Sequence, residues 1–203
     1  MTKSFLDSVY GAKGADALVD LYDTWASSYD AELAEAAYAT PARLAAALAA
    51  CDTPTDCRVL DYGCGTGLSG LALVARGYTL IDGVDLSAEM LAQAEAKQIY
   101  GRLWQAAPDT AVLLAPGDYP VIVAAGVVSP GAAPASLLGE LAGALEPGGR
   151  LAFSFNDHAL SDPSYPEALR ALPGLGMTCL FEEYGEHLPA IGLNSTVYVF
   201  EQE

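Results

Sequence analysis

The chain has 203 residues, of which 52% are hydrophobic and 17% are charged. This length suits a single domain with a substantial core, and the apolar content excludes an intrinsically disordered chain. Nine Lys and Arg residues stand against 26 Asp and Glu residues, for a net charge of −17, which disfavours nucleic acids and anionic membranes as partners and favours a neutral or cationic small molecule.

The N-terminal part of the chain is alanine-rich and has a helical pattern. Apolar and aromatic side chains recur at steps of three and four residues, on one helix face: Leu18, Leu21, Tyr22, Trp25 and Tyr29. A second helix is predicted to follow, with Thr40 as its N-cap and Pro41 as its first helical residue. The segment "DTPTD" at 52–56 ends that helix.

From Arg58 onward, strand-like and helix-like segments alternate. Strands are predicted at "RVLDYG", "YTLIDGVDLS", "RLWQAA", "YPVIVAAGVV", "RLAFSFND", "MTCLFEEY" and "STVYVFEQE". Helices are predicted at "LSGLALVARG", which ends at Gly77, at "SAEMLAQAEAKQIYG" with Ser87 as N-cap, at "PASLLGELAGALEPGG" and at "YPEALRAL". This alternation predicts a mostly parallel sheet with helices on both faces.

A glycine-rich loop follows the first of these strands, in "VLDYGCGTGLSG" at 59–70. Gly63, Gly65 and Gly67 permit positive φ angles or a close approach to the main chain. The dinucleotide fingerprint G-x-G-x-x-G would need a further glycine at the position of Leu68, and no G-x-x-x-x-G-K-[ST] motif is present. The loop is therefore not expected to grip a pyrophosphate or a triphosphate.

Asp85 ends the second predicted strand, 18 residues after Gly67. A carboxylate at this point can accept hydrogen bonds from both ribose hydroxyls of a nucleoside. The glycine loop matches neither phosphate-binding motif. Together with this loop, Asp85 therefore favours the binding of an adenosine group without a 5′ phosphate.

Four segments carry a resemblance to the class I S-adenosylmethionine-dependent methyltransferases. In the family's order and spacing they are "VLDYGCGTG" (59–67), "GVDLSAEMLAQA" (83–94), "PVIVAAGVV" (120–128) and "LEPGGRLAFSF" (145–155). Two N-terminal segments are similar to the Williams–Beuren-region methyltransferase-like subgroup: "YDTWASSYD" (22–30) and "AAYATPARLAAAL" (36–48).

The resemblance implies an α/β fold of the Rossmann-like, doubly wound type. Its seven-stranded sheet would have the order 3-2-1-4-5-7-6 with the last strand antiparallel, beneath an N-terminal helical cap. It also implies S-adenosylmethionine as cofactor, no metal, and direct in-line methyl transfer to a small-molecule acceptor. One domain over 1–203 is expected, with the cap at 1–50 and the cofactor-binding core at 57–203.

The resemblance assigns roles to the glycine loop and its acidic neighbours. The loop main chain would pass under the methionine and ribose parts of the cofactor at Gly63, Cys64, Gly65 and Gly67. Asp61 would orient the cofactor's amino group, directly or through water. Asp85 would bind the ribose hydroxyls.

Further positions would surround the rest of the cofactor. Leu86 and Met90 would pack on the adenine faces. Residues from Ala124 to Gly126 would line the methionine side. Trp25 and Tyr29 would close the pocket from the N-terminal helices, although burial under the domain explains this aromatic face equally well.

The sequence leaves two roles unassigned: the group that recognises the adenine amino group, and a catalytic base. Relatives often carry Asp at the end of the third strand to accept from the adenine amino group, but here Ala107 stands there. Either Asp109 serves after a loop shift, or a backbone group near Ala107 reads adenine. His158, after the fifth strand, could act as a base or be a solvated loop residue, and His187 has the weaker claim.

The remaining features concern location and competing activities. No apolar stretch reaches the roughly 20 residues of a membrane span, and the N-terminus lacks the apolar stretch of a secretory signal. The four cysteines form no C-x-x-C pair, so reduced thiols, a cytoplasmic location and no bound metal are expected. A protein that binds the cofactor without methyl transfer is the alternative, and a nicotinamide-dependent dehydrogenase is disfavoured by Leu68. The segment 156–172 is expected to be a substrate-facing insertion.

Overall fold

The computed structural model describes residues 15–107 and 114–203. The helices are α1 (Ala15–Glu35), α2 (Thr40–Ala50), α3 (Leu68–Val74), α4 (Ala88–Ala96), α5 (Leu137–Gly143), α6 (Asp157–Ser161) and α7 (Ser164–Ala171), with 3₁₀ turns at Leu172–Leu175 and Pro189–Ile191. The strands are β1 (Arg58–Tyr62), β2 (Leu80–Asp85), β3 (Arg102–Gln105), β4 (Val121–Ala124), β5 (Arg150–Asn156), β6 (Met177–Leu188) and β7 (Leu193–Gln202).

The strands form one sheet in the order β3-β2-β1-β4-β5-β7-β6. The first five strands pair in parallel, whereas β7 runs antiparallel to both β5 and β6. The predicted fold class, strand order and orientation of the last strand are confirmed. The strand order reverses between β1 and β4, and in open α/β sheets this switch point is where ligands bind.

Strand alternation divides the interior into two apolar layers. In β4, Ile122 packs in the layer that contains α5, whereas its neighbours Val121 and Val123 pack in the layer that contains α2. Successive side chains of a strand point to opposite faces of the sheet, so the single apolar segment of β4 contributes side chains to both layers. Within the predicted N-terminal cap, Leu44 and Leu48 of α2 are buried directly against the sheet.

The predicted cap of α2 is wrong. Thr40 is the first residue of the helix, the N-cap position is Ala39, and no side chain caps the helix end. The Thr40 hydroxyl is fully buried and hydrogen bonds instead to Nδ1 of His187 at 2.7 Å and to Oγ of Ser195 at 2.9 Å. The Thr40 hydroxyl therefore binds to the β6–β7 hairpin, whereas the sequence pattern predicted that it would cap α2. By contrast, Ser87 caps α4 as predicted, since its Oγ accepts from the Met90 N–H at 3.0 Å.

Residues 156–172, predicted to be a substrate-facing insertion, fold largely as two short helices. Asn156 caps α6, because its Oδ1 accepts from the Ala159 N–H at 3.0 Å. Ala159, Tyr165 and Leu172 are buried in the same layer as α5, and this burial anchors the segment to the sheet.

Among the residues that the structure describes, no helix combines the length and the apolar character that a bilayer span requires.

Candidate functional site

The carboxyl ends of the central strands open into a cavity of about 480 Å³. Its walls come from the loops that follow β1, β2, β3 and β4, and from α1 and α5. This size lies within the range of about 300–1,000 Å³ that small-molecule sites occupy. The cavity coincides with the switch point of the sheet.

The loop after β1 presents bare main chain to this cavity. Gly63, Gly65 and Gly67 have φ angles of 67°, 53° and 94°, a region that favours glycine. The Gly63 and Cys64 N–H groups donate to the Val84 carbonyl at 2.8 and 3.0 Å, which ties the loop to β2. A Cβ atom built on Gly65 meets no atom within 4 Å, so a ligand can lie directly against this backbone.

Asp85 is oriented by two backbone donors. Its Oδ2 accepts from the Gly65 N–H at 2.8 Å, and its Oδ1 accepts from the Ser87 N–H at 2.9 Å. Burial raises the pKa of this carboxyl, while the two N–H donors favour its charged form. Each carboxylate oxygen keeps a second acceptor position, so the pair can receive two hydroxyls of a ligand.

Asp61 lies behind the loop and has one oxygen without a partner. The side chain is fully buried, and its Oδ2 accepts from Ser69 Oγ at 2.6 Å and from Tyr100 OH at 2.7 Å. Within the described part of the chain, no group hydrogen bonds to Oδ1. Burial raises the pKa of Asp61 to about 6. An unsatisfied buried acceptor is costly, and a ligand ammonium or a water molecule bound to it would satisfy it.

Helix α1 is held over the cavity by two polar clamps. Asp23 accepts from the Ser87 hydroxyl at the start of α4. Asp30 accepts from Thr66 Oγ1 at 2.5 Å and from Lys97 Nζ at 2.7 Å. Because Thr66 belongs to the glycine loop, α1 is fastened to both sides of the site.

Tyrosines from the N-terminal helical segment line the side of the cavity that α1 covers. Tyr22, Tyr29 and Tyr38 all border the cavity. Trp25, which was predicted to close the pocket, does not border it. Its side chain is 2% exposed and packs between Tyr22 and Tyr29, with ring-centroid distances of 6.1 and 4.5 Å. Trp25 therefore supports the tyrosines and is out of reach of a ligand.

Most of the other predicted cofactor positions border the cavity. Leu86, Met90, Ala107 and Gly126 do so through the loops after β2, β3 and β4 and through α4. The Cys64 side chain is 3% exposed, and the residue borders a small adjoining pocket. Asp109 lies outside the described residues.

Two further predicted positions lie elsewhere. Ala124 is the last residue of β4, and it packs in the same core layer as Ile122. Its side chain therefore does not face the cavity, contrary to the prediction. The next residues, Ala125 and Gly126, border the cavity in its place. Gly67 is the N-cap residue of α3, and a Cβ there would lie 3.1 Å from the Tyr100 ring, so the contact with Tyr100 leaves little space for a larger residue.

Neither histidine borders the cavity. His158 is exposed on α6. His187 is 6% exposed and packs edge-on against Tyr38 at 5.1 Å. Burial lowers the pKa of His187 to about 4, so it is neutral at physiological pH. The described site thus places no histidine where it could take a proton from a ligand.

Tyr62 and Glu140 border the cavity and were missed by sequence reasoning. Tyr62 sits between Asp61 and Gly63 in the loop motif, so its position was a usable signal. Glu140 lies on α5 and reaches the site only because that helix packs across the strands, which no local pattern encodes.

The charge of the cavity is negative. Among the described residues that line it, the charged side chains are Asp85 and Glu140, and none is Lys, Arg or His. Such walls stabilise a cationic ligand and repel an anionic one. Within residues 15–107 and 114–203, no group of three or more His, Cys, Asp or Glu side chains is arranged to hold a metal ion.

The strand order matches that of solved structures with a Rossmann-like methyltransferase fold. Residues 59–149 match the family model of the methyltransferase domain. This match, the relative below and the strand order support a class I S-adenosylmethionine-dependent methyltransferase. The narrower resemblance to the Williams–Beuren-region subgroup stays a prediction.

Individual relatives agree with this class. Human methyltransferase-like protein 27 is 35% identical over 154 residues, which are 74% of this chain and 62% of that protein. The chain thus spans less than two thirds of that relative's length. An S-adenosylmethionine-dependent methyltransferase from Leishmania major has a TM-score of 0.70 at 19% identity, covering 98% of this chain and 87% of its own. One from Thiobacillus denitrificans, in complex with S-adenosyl-L-homocysteine, has a TM-score of 0.56 at 19% identity, covering 81% and 91%.

Proposed function

We propose that the protein transfers a methyl group from S-adenosylmethionine to a small molecule by direct in-line displacement. The observation that carries the proposal is the hydrogen bond between the Gly65 N–H and the Asp85 carboxylate at 2.8 Å. It joins an open stretch of main chain to an oriented carboxylate within one cavity. The matched methyltransferase domain covers both residues.

The cofactor would lie across the ends of β1 and β2. Asp85 would receive the ribose hydroxyls, while Leu86 and Met90 would contact the adenine ring. The methionine part would follow the main chain from Gly63 to Gly65, with its ammonium directed toward the unpartnered oxygen of Asp61, directly or through water. The sulfonium would face tyrosine rings, which attract cations through their π faces.

Methyl transfer to a bound acceptor needs alignment more than it needs a catalytic group. A lone pair of the acceptor forms a bond to the methyl carbon as the carbon–sulfur bond breaks and its electron pair passes to sulfur. If the acceptor atom carried a proton, that proton leaves to water. Alignment alone can supply up to about 7–11 kcal/mol. Burial raises the pKa of Tyr29 well above its usual value, so this phenol stays protonated. It can donate a hydrogen bond or form part of the cavity wall, but it does not act as a base.

The acceptor is proposed to be small, and neutral or cationic. Support comes from the roof formed by α1, the absence of basic side chains among the described residues that line the cavity, and the net charge of −17. A polynucleotide would be repelled by this net negative charge. A cytoplasmic location, with neither nucleic acid nor membrane as partner, belongs to the same proposal.

The proposed activity is tested by label transfer. We expect the protein, with S-adenosylmethionine tritiated in the methyl group, to label a compound in a metabolite extract and to form S-adenosylhomocysteine in equal amount. Label should be absent with heat-inactivated protein. Tight cofactor binding without labelled product, across broad extracts, would instead support a protein that binds the cofactor without transfer.

Replacing Asp85 with alanine is expected to weaken S-adenosylhomocysteine binding by about 1–3 kcal/mol, because charge-assisted hydrogen bonds to the ribose are lost. This equals roughly a 5- to 150-fold rise in Kd, measured by isothermal titration calorimetry. Glu95→Ala is the matched control, since it removes an equal charge from an exposed position on α4 away from the cavity. Equal affinity in a folded Asp85→Ala protein would mean that the ribose is held elsewhere.

A further inference from the structure

The end of the cavity next to β3 has no side-chain acceptor among the described residues that follow this strand. Ala106 and Ala107 border the cavity there and carry only methyl groups. The Gln105 amide is exposed and donates to the Leu86 carbonyl at 2.9 Å. The exocyclic amino group of an adenine held by Asp85, Leu86 and Met90 would reach this end, and it needs an acceptor.

Glu140 borders the same cavity. Together with Leu137 it borders the main cavity, and it also borders an adjoining pocket of about 100 Å³ with Tyr62 and Leu114. Leu114 belongs to the connection between β3 and β4, and both Leu114 and Ala106 pack against the apolar layer that contains Leu137. Helix α5 thus carries Glu140 to the chain that leaves β3.

The Glu140 carboxylate is available to a ligand. Within the described part of the chain it takes part in no ion pair, and no side-chain hydrogen bond ends on it. Burial, followed by the charges of Glu140 and Asp85, raises the pKa of the Tyr62 hydroxyl. The two carboxylates therefore both act on Tyr62, and an adenosine bound at Asp85 has Glu140 within the same cavity.

We propose, on the basis of the proposed function, that Glu140 accepts a hydrogen bond from the exocyclic amino group of the cofactor's adenine and so selects adenosyl over inosyl compounds. An ionised carboxylate is an acceptor only. It pairs with the 6-amino group of adenine, whereas the 6-oxo group of hypoxanthine would place two acceptors against each other. Glu140 is exposed in the ligand-free structure, so its discrimination depends on the hydrogen bond that it makes to the bound base and not on prior burial of the carboxylate.

The test compares the binding of S-adenosylhomocysteine and S-inosylhomocysteine by isothermal titration calorimetry. We expect the unmodified protein to bind the adenine compound at least roughly tenfold more tightly. Glu140→Gln should reduce this ratio to about threefold or less, because an amide can turn its NH₂ group toward the 6-oxo group. Glu95→Gln, the same change at an exposed position of α4, should leave the ratio unaltered.

The result that overturns the assignment is a ratio that Glu140→Gln leaves unchanged. A loss of discrimination in Asp109→Ala with Glu140→Gln unaffected would overturn it as well, and would assign the role to the β3–β4 connection. Failure of the unmodified protein to bind either compound would overturn the proposed function together with this assignment. That result is distinct from tight binding with an unchanged ratio, which overturns the assignment alone.

Discussion

Replacing Gly65 with valine is expected to abolish cofactor binding while the fold persists. A Cβ at this position enters open cavity space, with no protein atom within 4 Å, so the added side chain would occupy the volume that the ligand needs. We expect Kd for S-adenosylhomocysteine to rise at least about 100-fold, or about 2.7 kcal/mol, as measured by calorimetry. Circular dichroism should show retained secondary structure.

A matched control separates occlusion from backbone strain. Gly192 also has a positive φ, 69°, and open space around its built Cβ, but it lies between the 3₁₀ turn and β7, away from the cavity. Valine at either position should cost about 1–3 kcal/mol of strain, visible as a lower Tm in both variants. Only Gly65→Val should lose binding. Normal titration by that variant would contradict close approach of the ligand to the main chain.

Asp61 is expected to make the stability of the ligand-free protein fall as the pH rises from about 4 to about 6. Burial raises its pKa from 3.8 to about 6, so between these values the folded state keeps a proton that the unfolded state has lost. The stabilisation is full below the unfolded-state pKa and is lost as the pH rises through the folded-state pKa. A shift of about 2 units corresponds to about 3 kcal/mol.

Asp61→Asn removes this titration. A comparison with the unmodified protein therefore separates the contribution of Asp61 to the pH dependence from those of the other carboxylates. The free energy of unfolding, from urea denaturation at intervals between pH 4 and pH 7.5, should fall by about 2–3 kcal/mol more for the unmodified protein than for the variant. Ser69 and Tyr100 can still donate to the amide oxygen, so the variant should fold. Parallel stability curves for the two proteins would show that Asp61 is ionised across the whole range.

The chain around the glycine loop was predictable because its signals are local. Gly63 and Gly65 follow a strand, and their φ angles match the freedom that glycine supplies. Ser87 caps α4 through a bond to Met90, three residues on. Asp85 ends the next strand and points at the loop, since parallel neighbours bring their carboxyl ends to the same edge.

The errors fall where a distant partner decides the outcome. Thr40 has the sequence context of a helix cap, yet His187 and Ser195 take its hydroxyl. The resemblance placed Ala124 on the methionine side, but it is the last residue of β4 and packs in the core layer of Ile122, and a shift of one residue reverses the side that a side chain faces. At Trp25, where the sequence left pocket closure and burial open, packing decides for burial between Tyr22 and Tyr29.

By itself, the sequence determined the class of fold, the position of the glycine loop and the carboxylate that faces it, since strand periodicity, glycine spacing and helix capping act over a few residues. The tertiary structure alone decided which side chains close the cavity. Glu140 and Tyr38 reach it from separate elements, and the clamps at Asp23 and Asp30 hold α1 across it. These contacts join residues far apart in the chain, and their geometry depends on how whole helices pack on the sheet.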